Sequence, residues 1–384
     1  MTLPLEGVRV IEVGQALAGP LAGVLLADIG ADVIKIEKPD GGDDARIWGP
    51  PYGPDGETSL YFYSQNRNKR SVVLDLKDDV DVVLARELAG RADVMIENFR
   101  PGGLDRFGLG YDDVATGNPG VVYASISGFG TTERGRVLPG YDLIVQAMSG
   151  LMSLTGAPDT EPFRSGISVF DVMAGMHASI GILAALHARD ETGRGQHVEV
   201  NLLSSALSGM VNQTSAYVAG GVVPHRMGNS HPSLFPYEPM ECADGELIIT
   251  AGNSGQFRKL VEVIGVPELA DDPRFARNED RTANRDELRP LLVERLRTRS
   301  TMDWFREIIA AGVPCGPINT VDGGVGFATE IGLDPVVEVG EGAGMVPSVR
   351  NPITFSETPA DYRLPPPELD EHGAEIRAWL KGEA

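Results

Sequence analysis

The first part of the chain alternates short β-branched runs with apolar helical stretches, and this alternation limits the possible folds more than any other feature. Residues 8–13 (VRVIEV) and 32–37 (DVIKIE) predict strands, and the apolar stretch 21–29 between them predicts a helix. The pattern continues with strands at 71–74, 94–97 and 121–127 and a helix at 79–90. Strands that alternate with helices in this way build a doubly wound, parallel α/β sheet.

Beyond residue 139 the sequence changes to long helical stretches rich in small and apolar residues. Helices are predicted at 143–149, 172–189 and 202–218. An irregular segment at 222–236 (VVPHRMGNSHPSLFP) has the Pro and Gly content of a domain boundary. After it the pattern predicts a strand at 246–251 and helices at 257–264, 286–297 and 302–311. Because 384 residues exceed one ordinary core, we expect two domains.

The charge and the cysteine content exclude several classes of protein. A formal net charge of -22 argues against a surface for nucleic acid or anionic membrane, because phosphate contacts need clustered Lys and Arg. Only Cys242 and Cys315 are present, without the spacing of a zinc site or a disulfide framework. The amino terminus lacks the pattern of a secretion signal, and no apolar run is predicted to reach the ~20 residues of a membrane span. We expect a cytoplasmic protein.

The loop after the first predicted strand contains Gly14, Gly19 and Gly23, which invites comparison with a phosphate site. A helix amino terminus presents free N–H groups to an anion. The spacing differs from G-x-G-x-x-G, however, and no acidic residue stands in the expected relation to these glycines, so an NAD-binding oxidoreductase is disfavoured. The alternative is a tight α/β connection whose small residues let the helix pack closely on the strand.

Six segments along the chain carry a resemblance to a known family. They are LEGVRVIEVGQALAGPLAGVLLADIGADVIKIEKP, YFYSQNRNKRSVVLDLK, ADVMIENFRPGGLDRFGLGY, RSGISVFDVMAG around Asp171, HARDETGRGQHVEV and GVPCGPIN. Together and in this order they resemble the family III CoA-transferases, to which the α-methylacyl-CoA racemases are related. The resemblance covers nearly the whole chain.

The resemblance implies an α/β fold with a Rossmann-like large domain and a smaller α+β domain, assembled as an interlocked homodimer. With the change in composition, it places the large CoA-binding domain at residues 1–200 and 325–384, a linker at 201–223 and the small domain at 224–324. Coenzyme A enters as acyl-CoA, which is a substrate. The family's chemistry requires no metal and no redox cofactor.

Asp171 is the predicted nucleophile. Taken alone, an Asp at the start of a helix is more simply explained as an N-cap. The resemblance favours catalysis, because the matching position in the family carries the acyl group, and the apolar flank of Val169, Phe170 and Val172 would remove water from the carboxylate. We expect a mixed anhydride on Asp171, then an aspartyl-CoA thioester, then attack by the acceptor acid.

The triplet Gly140-Tyr141-Asp142 favours a transferase over a racemase. The related racemases have Gly-His-Asp at this place, and their His moves the α-proton of the substrate. A phenol is a poor base for a carbon acid at neutral pH, but it can hydrogen-bond a substrate carboxylate. The alternative for Tyr141 is a half-buried side chain that packs at a helix start.

Further site residues are predicted by resemblance. Gln15 would hydrogen-bond the acyl group, and Asn98, Phe99 and Arg106 would lie in the CoA site. Lys69 and Arg70, in the cationic segment NRNKRS, are predicted beside the adenine and phosphates, because an acidic protein must gather cations for CoA. The alternative for residues 67–70 is a solvated charged loop.

Three more residues have weaker assignments. Trp48 falls where formyl-CoA transferase has an active-site Trp, and His231 is a candidate to contact an acceptor carboxylate from the second domain. His177 follows Asp171 by six residues, which puts the two side chains on different faces of a helix, so we expect His177 to be packed or solvated.

The sequence therefore predicts an acyl-CoA:carboxylate CoA-transferase whose partners are an acyl-CoA donor, a free acid and a second copy of the chain. The pocket is expected to suit a small dicarboxylic acid such as succinate, since the segments HPSLFPY and AGNSGQF look more like the succinyl-CoA:glutarate type than the formyl type. Two alternatives remain open: an α-methylacyl-CoA racemase, and a CoA-binding protein without turnover.

Overall fold

The computed structural model describes residues 2–342 and 345–383 of the chain. In this part of the chain the strands are β1 (Arg9–Val13), β2 (Asp32–Glu37), β3 (Lys69–Val73), β4 (Val94–Glu97), β5 (Val122–Ser127), β6 (His197–Asn201), β7 (Tyr237–Glu241), β8 (Glu246–Thr250), β9 (Cys315–Pro317), β10 (Val336–Val339) and β11 (Val346–Val349).

The α-helices are α1 (Ala18–Asp28), α2 (Leu60–Asn66), α3 (Asp79–Gly90), α4 (Tyr111–Gly117), α5 (Asp142–Ser149), α6 (Leu151–Leu154), α7 (Val169–Thr192), α8 (Leu202–Gly209), α9 (Val211–Gly220), α10 (Ser254–Val263), α11 (Asn278–Ala283), α12 (Arg285–Leu296), α13 (Thr301–Ala310), α14 (Val321–Glu330) and α15 (Gly373–Lys381). Short 3-10 turns lie at Asp44–Ile47, Asp105–Phe107 and Pro267–Ala270.

A six-stranded parallel sheet in the order β3-β2-β1-β4-β5-β6 organises the first compact unit. This strand order is that of doubly wound nucleotide-binding sheets, in which the direction of winding reverses between β1 and β4. The predicted parallel α/β sheet is therefore confirmed. Because successive strand residues point to opposite faces, the sheet has a core on each side. Val10 packs in the core with α1 and α7, whereas Ile11 packs in the core with α3 and α15.

The element predictions agree closely with the structure where the sequence pattern is strongest. The predicted bounds of β2, β4 and α3 are those observed, and α1, α5, α7 and β5 differ by a few residues at their ends. The single helix predicted at 202–218 is two helices, α8 and α9, because the chain leaves helical geometry between Gly209 and Val211, where Val211 has a positive φ of 39°.

Helix α7 is the long core helix of this unit. It packs against α1, α8, β5 and β6, and its inner face contributes Ala174, Ala178 and Ile182 to the core. By length and composition alone its 24 residues could cross a membrane, and buried core helices meet the same criterion. The expectation that the sequence has no apolar stretch of this length was therefore wrong.

The chain divides into two compact units, which comprise Met1–Leu151, Arg164–Val223 and Asp334–Ala384, and Met152–Phe163 and Pro224–Leu333, respectively. The second unit has a three-stranded antiparallel sheet in the order β7-β8-β9. Helices α10, α12 and α13 pack with this sheet around a separate apolar core that includes Phe235, Leu247, Phe257 and Trp304.

The units differ from the predicted domains at three segments, one of which, residues 325–333, was predicted within the large domain and belongs to the second unit. The predicted linker, residues 201–223, contains α8 and α9 and belongs to the first unit. Residues 152–163, predicted within the large domain, belong to the second unit, where the backbone N–H of Gly228 donates to the carbonyl of Gly156. Local composition does not indicate the unit to which each of these segments belongs, because that depends on contacts between residues distant in sequence.

Candidate active site

A crevice opens at the carboxyl ends of β1 and β4, the neighbouring strands between which the winding of the sheet reverses. Ligands of doubly wound proteins bind at this position because the loops that follow the two strands diverge there. The crevice has a volume of about 240 Å³. It brings together six residues that the sequence singles out: Gln15, Trp48, Asn98, Phe99, Tyr141 and Asp171.

Asp171 lies in the first turn of α7, at the third position of the helix. It does not cap the helix: the N-cap position is Ser168, and neither residue's side chain supplies a cap hydrogen bond there. The cap comes instead from Asp142 at the start of α5, whose carboxylate accepts hydrogen bonds from the backbone N–H groups of Phe170 (2.7 Å) and Asp171 (3.2 Å). The alternative reading of Asp171 as an N-cap is therefore excluded.

The electrostatic surroundings of Asp171 favour its protonated form. Burial, and secondarily the negative charge of Asp142, raise the pKa of Asp171 to about 7. The carboxyl group therefore titrates near neutral pH, where a useful fraction is ionised and poorly hydrated. A desolvated carboxylate is a more reactive nucleophile toward a thioester than a hydrated one.

The segment before Asp171 is held by Gln146, one turn along α5 from Asp142. The Gln146 side chain accepts from the backbone N–H of Ser165 (2.8 Å) and donates to the carbonyl of Ile167 (3.2 Å). It also donates to the Asp142 carboxylate. Asp142 and Gln146 are both buried, so α5 fixes the entry to α7 through a water-poor set of hydrogen bonds. Gln146 was not singled out from the sequence, and Asp142 was named only as the last residue of the triplet 140–142.

Gln15 lies just beyond β1, in a loop that side chains hold on both sides. Its backbone N–H donates to Asn98 Oδ1 (2.8 Å), and its carbonyl accepts from Asn98 Nδ2 (2.7 Å). The next residue, Ala16, has a positive φ of 64° and donates its N–H to Asp43 Oδ1 (3.0 Å). Lys35 Nζ donates to the carbonyl of Gly14 (2.7 Å).

A buried ion network lies under this loop. Lys35 Nζ contacts Glu12 Oε1 (2.8 Å) and Asp43 Oδ2 (2.9 Å), and Lys69 Nζ contacts Glu12 Oε2 (2.7 Å). Burial alone would lower the pKa of Lys35, but the charges of Glu12 and Asp43 raise it overall. The network also explains Gly23, where a Cβ would lie 2.0 Å from Glu12 Oε2. Gly23 therefore leaves room for the buried ion pair. This agrees with the alternative explanation of the loop, in which small residues let the helix pack closely on the strand.

The structure contradicts the prediction that Lys69 contacts CoA. Lys69 begins β3 and its side chain points inward, where it is fully buried and donates to Asn66 Oδ1 and the carbonyl of Pro20 as well as contacting Glu12. Burial and the nearby charge of Lys35 lower the pKa of Lys69 to about 8 despite the Glu12 carboxylate. Its ammonium group has no path to a ligand.

Arg70, the other cation predicted from the same segment, is also committed elsewhere. Its guanidinium forms a bidentate ion pair with Asp32 (2.7 and 2.8 Å) and a second ion pair with Glu375 (2.9 Å). Arg70 does not line the crevice. The solvated-loop alternative for residues 67–70 is wrong too, since Arg67 is buried against Asp28.

Two arginines on the loop after β4 remain as cations for a ligand. Arg100 is exposed and lines the crevice beside Phe99. Arg106 is exposed on the 3-10 turn Asp105–Phe107, with its guanidinium 4.5 Å from the centre of the Phe107 ring, and it is not among the residues that line the crevice.

Tyr61 is a site residue that sequence reasoning missed. Its ring packs edge-on against Trp48 with centroids 5.2 Å apart. Burial raises the pKa of Tyr61, as do the charges of Asp171 and Asp142, and its hydroxyl interacts with Ser168. The phenol therefore stays protonated and can donate a hydrogen bond near Asp171. Tyr61 stands on α2, a short helix whose seven residues carry no clear periodic signal.

A second cavity of about 740 Å³ adjoins the carboxyl ends of β4, β5 and β6 and shares Phe99 with the crevice. At its wall Ser125 Oγ lies 2.9 Å from His197 Nε2. Burial raises the pKa of Glu97, next to Ser125, to about 7. None of these three residues was singled out from the sequence, since their proximity depends on β6, which was not predicted as a strand.

The histidines considered from sequence have local contacts. His177 Nδ1 lies 3.0 Å from Ser205 Oγ on α8, as expected for a packed side chain. In the second unit, His231 Nδ1 accepts from the backbone N–H of Ser233, and the ring lies against Tyr237. The described residues contain no group of three or more His, Cys, Asp or Glu side chains placed to hold a metal ion.

A half-buried carboxyl group with a raised pKa lies in a crevice at the switch point of a doubly wound sheet, together with Gln15, Trp48 and Tyr141, and this combination marks a candidate active site. Comparison with known proteins identifies the family. Residues 5–373 match the model of CoA-transferase family III, and the chain belongs to this family. The resemblance inferred from the six sequence segments is confirmed.

Individual relatives agree with this assignment over the whole chain. A succinate–glutarate CoA-transferase of Agrobacterium fabrum is 42% identical over 395 residues, covering 98% of this chain and 96% of that protein. An acetyl-CoA:oxalate CoA-transferase of Acetobacter aceti is 41% identical over 97% of this chain and 95% of that protein. The crystal structure of a CaiB/BaiF family protein from Brucella suis superposes with a TM-score of 0.89 at 42% identity, covering 99% of this chain and all of that one.

Proposed function

We propose that the enzyme transfers CoA from an acyl-CoA to a free carboxylic acid through covalent intermediates on Asp171. The supporting observation is the Asp171 carboxyl group, which lies half-buried in the crevice that Gln15 and Tyr141 also line and whose pKa of about 7 leaves it partly ionised at neutral pH. A group with these properties suits nucleophilic catalysis at a thioester. Its surroundings supply a carboxamide and phenols as hydrogen-bond partners for the developing oxyanion.

The proposed reaction has four balanced steps. The Asp171 carboxylate attacks the thioester carbonyl and expels CoA thiolate, leaving a mixed anhydride. The thiolate then attacks the Asp171 carbonyl, which releases the donor acid and gives an aspartyl-CoA thioester. The acceptor carboxylate attacks this thioester and again expels the thiolate, and finally the thiolate attacks the acceptor's acyl carbon, which forms the new acyl-CoA and frees Asp171.

We propose small dicarboxylic acids as the acids exchanged. The relatives from Agrobacterium fabrum and Acetobacter aceti are named for succinate and glutarate and for oxalate. The crevice, at about 240 Å³, is smaller than the ~300–1,000 Å³ of pockets for drug-sized ligands. Arg100 in its lining provides a cation for a carboxylate or a phosphate. Arg106 is the second cation proposed for the phosphates of CoA.

We also propose that the enzyme is a homodimer in solution. The outer face of α7 exposes Met176, Ile180 and Leu183, with 50%, 64% and 39% of their surfaces accessible. These residues are spaced as one stripe along the helix, and an apolar stripe of this kind is usually covered by a partner. Light scattering coupled to size-exclusion chromatography tests this, and a monomer mass of 41.0 kDa at micromolar concentration would refute it.

The experiment that tests the transferase mechanism is trapping with hydroxylamine, which converts an activated carboxyl group to a hydroxamate. The enzyme is incubated with succinyl-CoA and hydroxylamine, digested and analysed by mass spectrometry. We expect the hydroxamate on the peptide that contains Asp171, only when acyl-CoA is present and not in Asp171→Asn. If no acyl-CoA in a panel gives this product, the mechanism is refuted, and α-proton exchange in deuterated water then tests for a racemase.

A further inference from the structure

Asn98 forms a two-way hydrogen bond with the backbone of Gln15. Its amide nitrogen donates to the Gln15 carbonyl at 2.7 Å, and its amide oxygen accepts from the Gln15 N–H at 2.8 Å. A carboxamide has one acceptor and one donor end, and here both ends engage the same residue. By resemblance Asn98 was expected in the CoA site, but its hydrogen-bonding groups face the loop after β1.

Two further backbone groups of the loop are also held by side chains. Asp43 accepts from the N–H of Ala16 (3.0 Å), and Lys35 donates to the carbonyl of Gly14 (2.7 Å). Asp43 and Lys35 are themselves paired and buried. Four hydrogen bonds from three side chains therefore fix three consecutive residues, although Ala16 adopts a left-handed conformation that a non-glycine residue adopts at an energetic cost.

The arrangement leaves the Gln15 side chain as the free polar group of the loop, and it lines the crevice with Asp171. A donor aimed at a developing oxyanion is effective only if it is held in place before the reaction. β1 and β4 are paired, with Val13 opposite Glu97. Asn98 directly follows β4, so its hydrogen bonds tie the Gln15 loop to the neighbouring strand of the sheet.

We propose that Asn98 is a positioning residue, which acts on the reaction by orienting Gln15 rather than by binding CoA. This inference rests on the proposed acyl transfer to Asp171. It predicts that loss of the Asn98 amide lowers the rate at which Asp171 is acylated and leaves the affinity for CoA unchanged. A residue that binds CoA would show the opposite pattern.

The test compares Asn98→Ala with the matched control Asn118→Ala. Asn118 is a half-buried residue at the end of α4, and its amide donates to the carbonyls of Ala89 (3.3 Å) and Ala92 (2.7 Å), so its removal also costs two amide-to-backbone hydrogen bonds. It does not line the crevice or the adjoining cavity. Thermal unfolding checks that both variants are folded to a similar extent.

Three readouts are measured on each protein. The initial rate of hydroxamate formation at Asp171 with saturating succinyl-CoA should fall roughly 10- to 100-fold in Asn98→Ala, as for a misplaced oxyanion donor. The dissociation constant of CoA, from calorimetric titration, should stay within about twofold of the wild-type value, a change too small for a lost charge-assisted contact. Hydrogen–deuterium exchange should be faster for the peptide that contains Gln15 and Ala16. Asn118→Ala should leave all three unchanged.

A double mutant separates action through Gln15 from an independent role. If Asn98 acts only by orienting Gln15, then Gln15→Ala with Asn98→Ala should be no slower than Gln15→Ala alone. Multiplicative losses would overturn the inference, as would weaker CoA binding with unchanged acylation, or unchanged exchange at residues 15 and 16. If wild-type enzyme gives no hydroxamate, the proposed function fails, and the calorimetric and exchange results still decide whether Asn98 binds CoA or holds the loop.

Discussion

The carboxylate of Asp142 accepts a hydrogen bond from the backbone N–H of Asp171 at 3.2 Å, so two acidic residues lie at the amino terminus of one helix. Negative charge is favoured at a helix amino terminus, which makes the position suitable for one carboxylate. The ionised form of Asp171 is destabilised by burial and, to a smaller extent, by the charge of Asp142. Asp142 accepts three hydrogen bonds, from Gln146 and from the backbone of Phe170 and Asp171, whereas Asp171 is the carboxyl group whose pKa is raised.

Replacement of the nucleophile should separate chemistry from binding. Asp171→Asn should reduce CoA transfer by at least ~10³-fold, because Asp171 is the proposed acyl carrier and the other carboxylate that lines the crevice, Asp44, is paired with Lys38. CoA affinity should be retained, since Asp171 is not proposed to contact the phosphates. Transfer between succinyl-CoA and glutarate, followed by chromatography of the CoA esters, and calorimetric titration with CoA measure the two properties. Near-normal turnover in the variant would rule out covalent catalysis at this residue.

Stability should depend on pH through Asp171. The pKa of Asp171 in the folded protein, about 7, lies above the ~3.9 of an unfolded Asp. Between these values the folded state binds more protons than the unfolded state, so the free energy of unfolding falls as pH rises from about 4 to 7. Asp171→Asn lacks this loss and should become more stable than wild type over that range, on the order of 1 kcal/mol per pH unit.

Guanidinium chloride titrations of wild type and Asp171→Asn at several pH values measure the difference. The two free energies of unfolding should nearly coincide near pH 4 and separate up to about pH 7, beyond which the difference stays constant. Parallel curves over the whole range would mean that the pKa of Asp171 is not raised.

Removing the charge of Asp142 should move the pH dependence of acylation. The reactive form of Asp171 is the carboxylate, so the acylation rate rises with pH through its pKa. In Asp142→Asn the side-chain oxygen can still accept from the backbone of α7, but the charge is lost, and the midpoint should shift to lower pH by about one unit or less, because burial is the larger cause of the raised pKa. The pH profile of hydroxamate formation measures this midpoint. A lower rate with an unchanged midpoint would show that Asp142 acts only as a structural cap.

The sequence predicted the central sheet because each of its inner strands is a short apolar run between helical stretches. β2 and β4 are buried on both faces, and continuous apolar runs of this kind can be predicted as strands from the sequence alone. β6 was not predicted, since His197, Glu199 and Asn201 interrupt it and it is only half-buried at the edge of the sheet. β6 is recognised as a strand only in the structure, where it pairs with β5.

The same distinction applies to the site. Asp171, Gln15 and Tyr141 were selected through matching segments, and the crevice brings them together. Lys69 was misassigned because a cationic segment looks solvated in sequence, whereas the position of its ammonium group is set by Glu12 on a strand that is distant in the chain. The hydrogen bonds that Asp142 and Asp43 accept were missed for a related reason. Each carboxylate accepts from a backbone N–H of a distant segment, and every residue type except Pro has such a group, so the sequence does not indicate the pairing.

Lys69 and Arg106 should therefore respond to mutation in opposite ways. Lys69→Met removes one partner of a buried ion network and leaves the Glu12 carboxylate with Lys35 as its remaining partner, which should cost about 3–5 kcal/mol of the free energy of unfolding. The folded fraction should bind CoA as wild type does. Arg106→Ala removes an exposed side chain and should change stability by less than ~0.5 kcal/mol while weakening CoA binding severalfold.

Guanidinium chloride titration and calorimetry with CoA measure both effects, and Glu12→Gln provides a milder change to the same network if Lys69→Met does not fold. Weaker CoA binding in a stably folded Lys69 variant would restore the original assignment of this lysine to the CoA site.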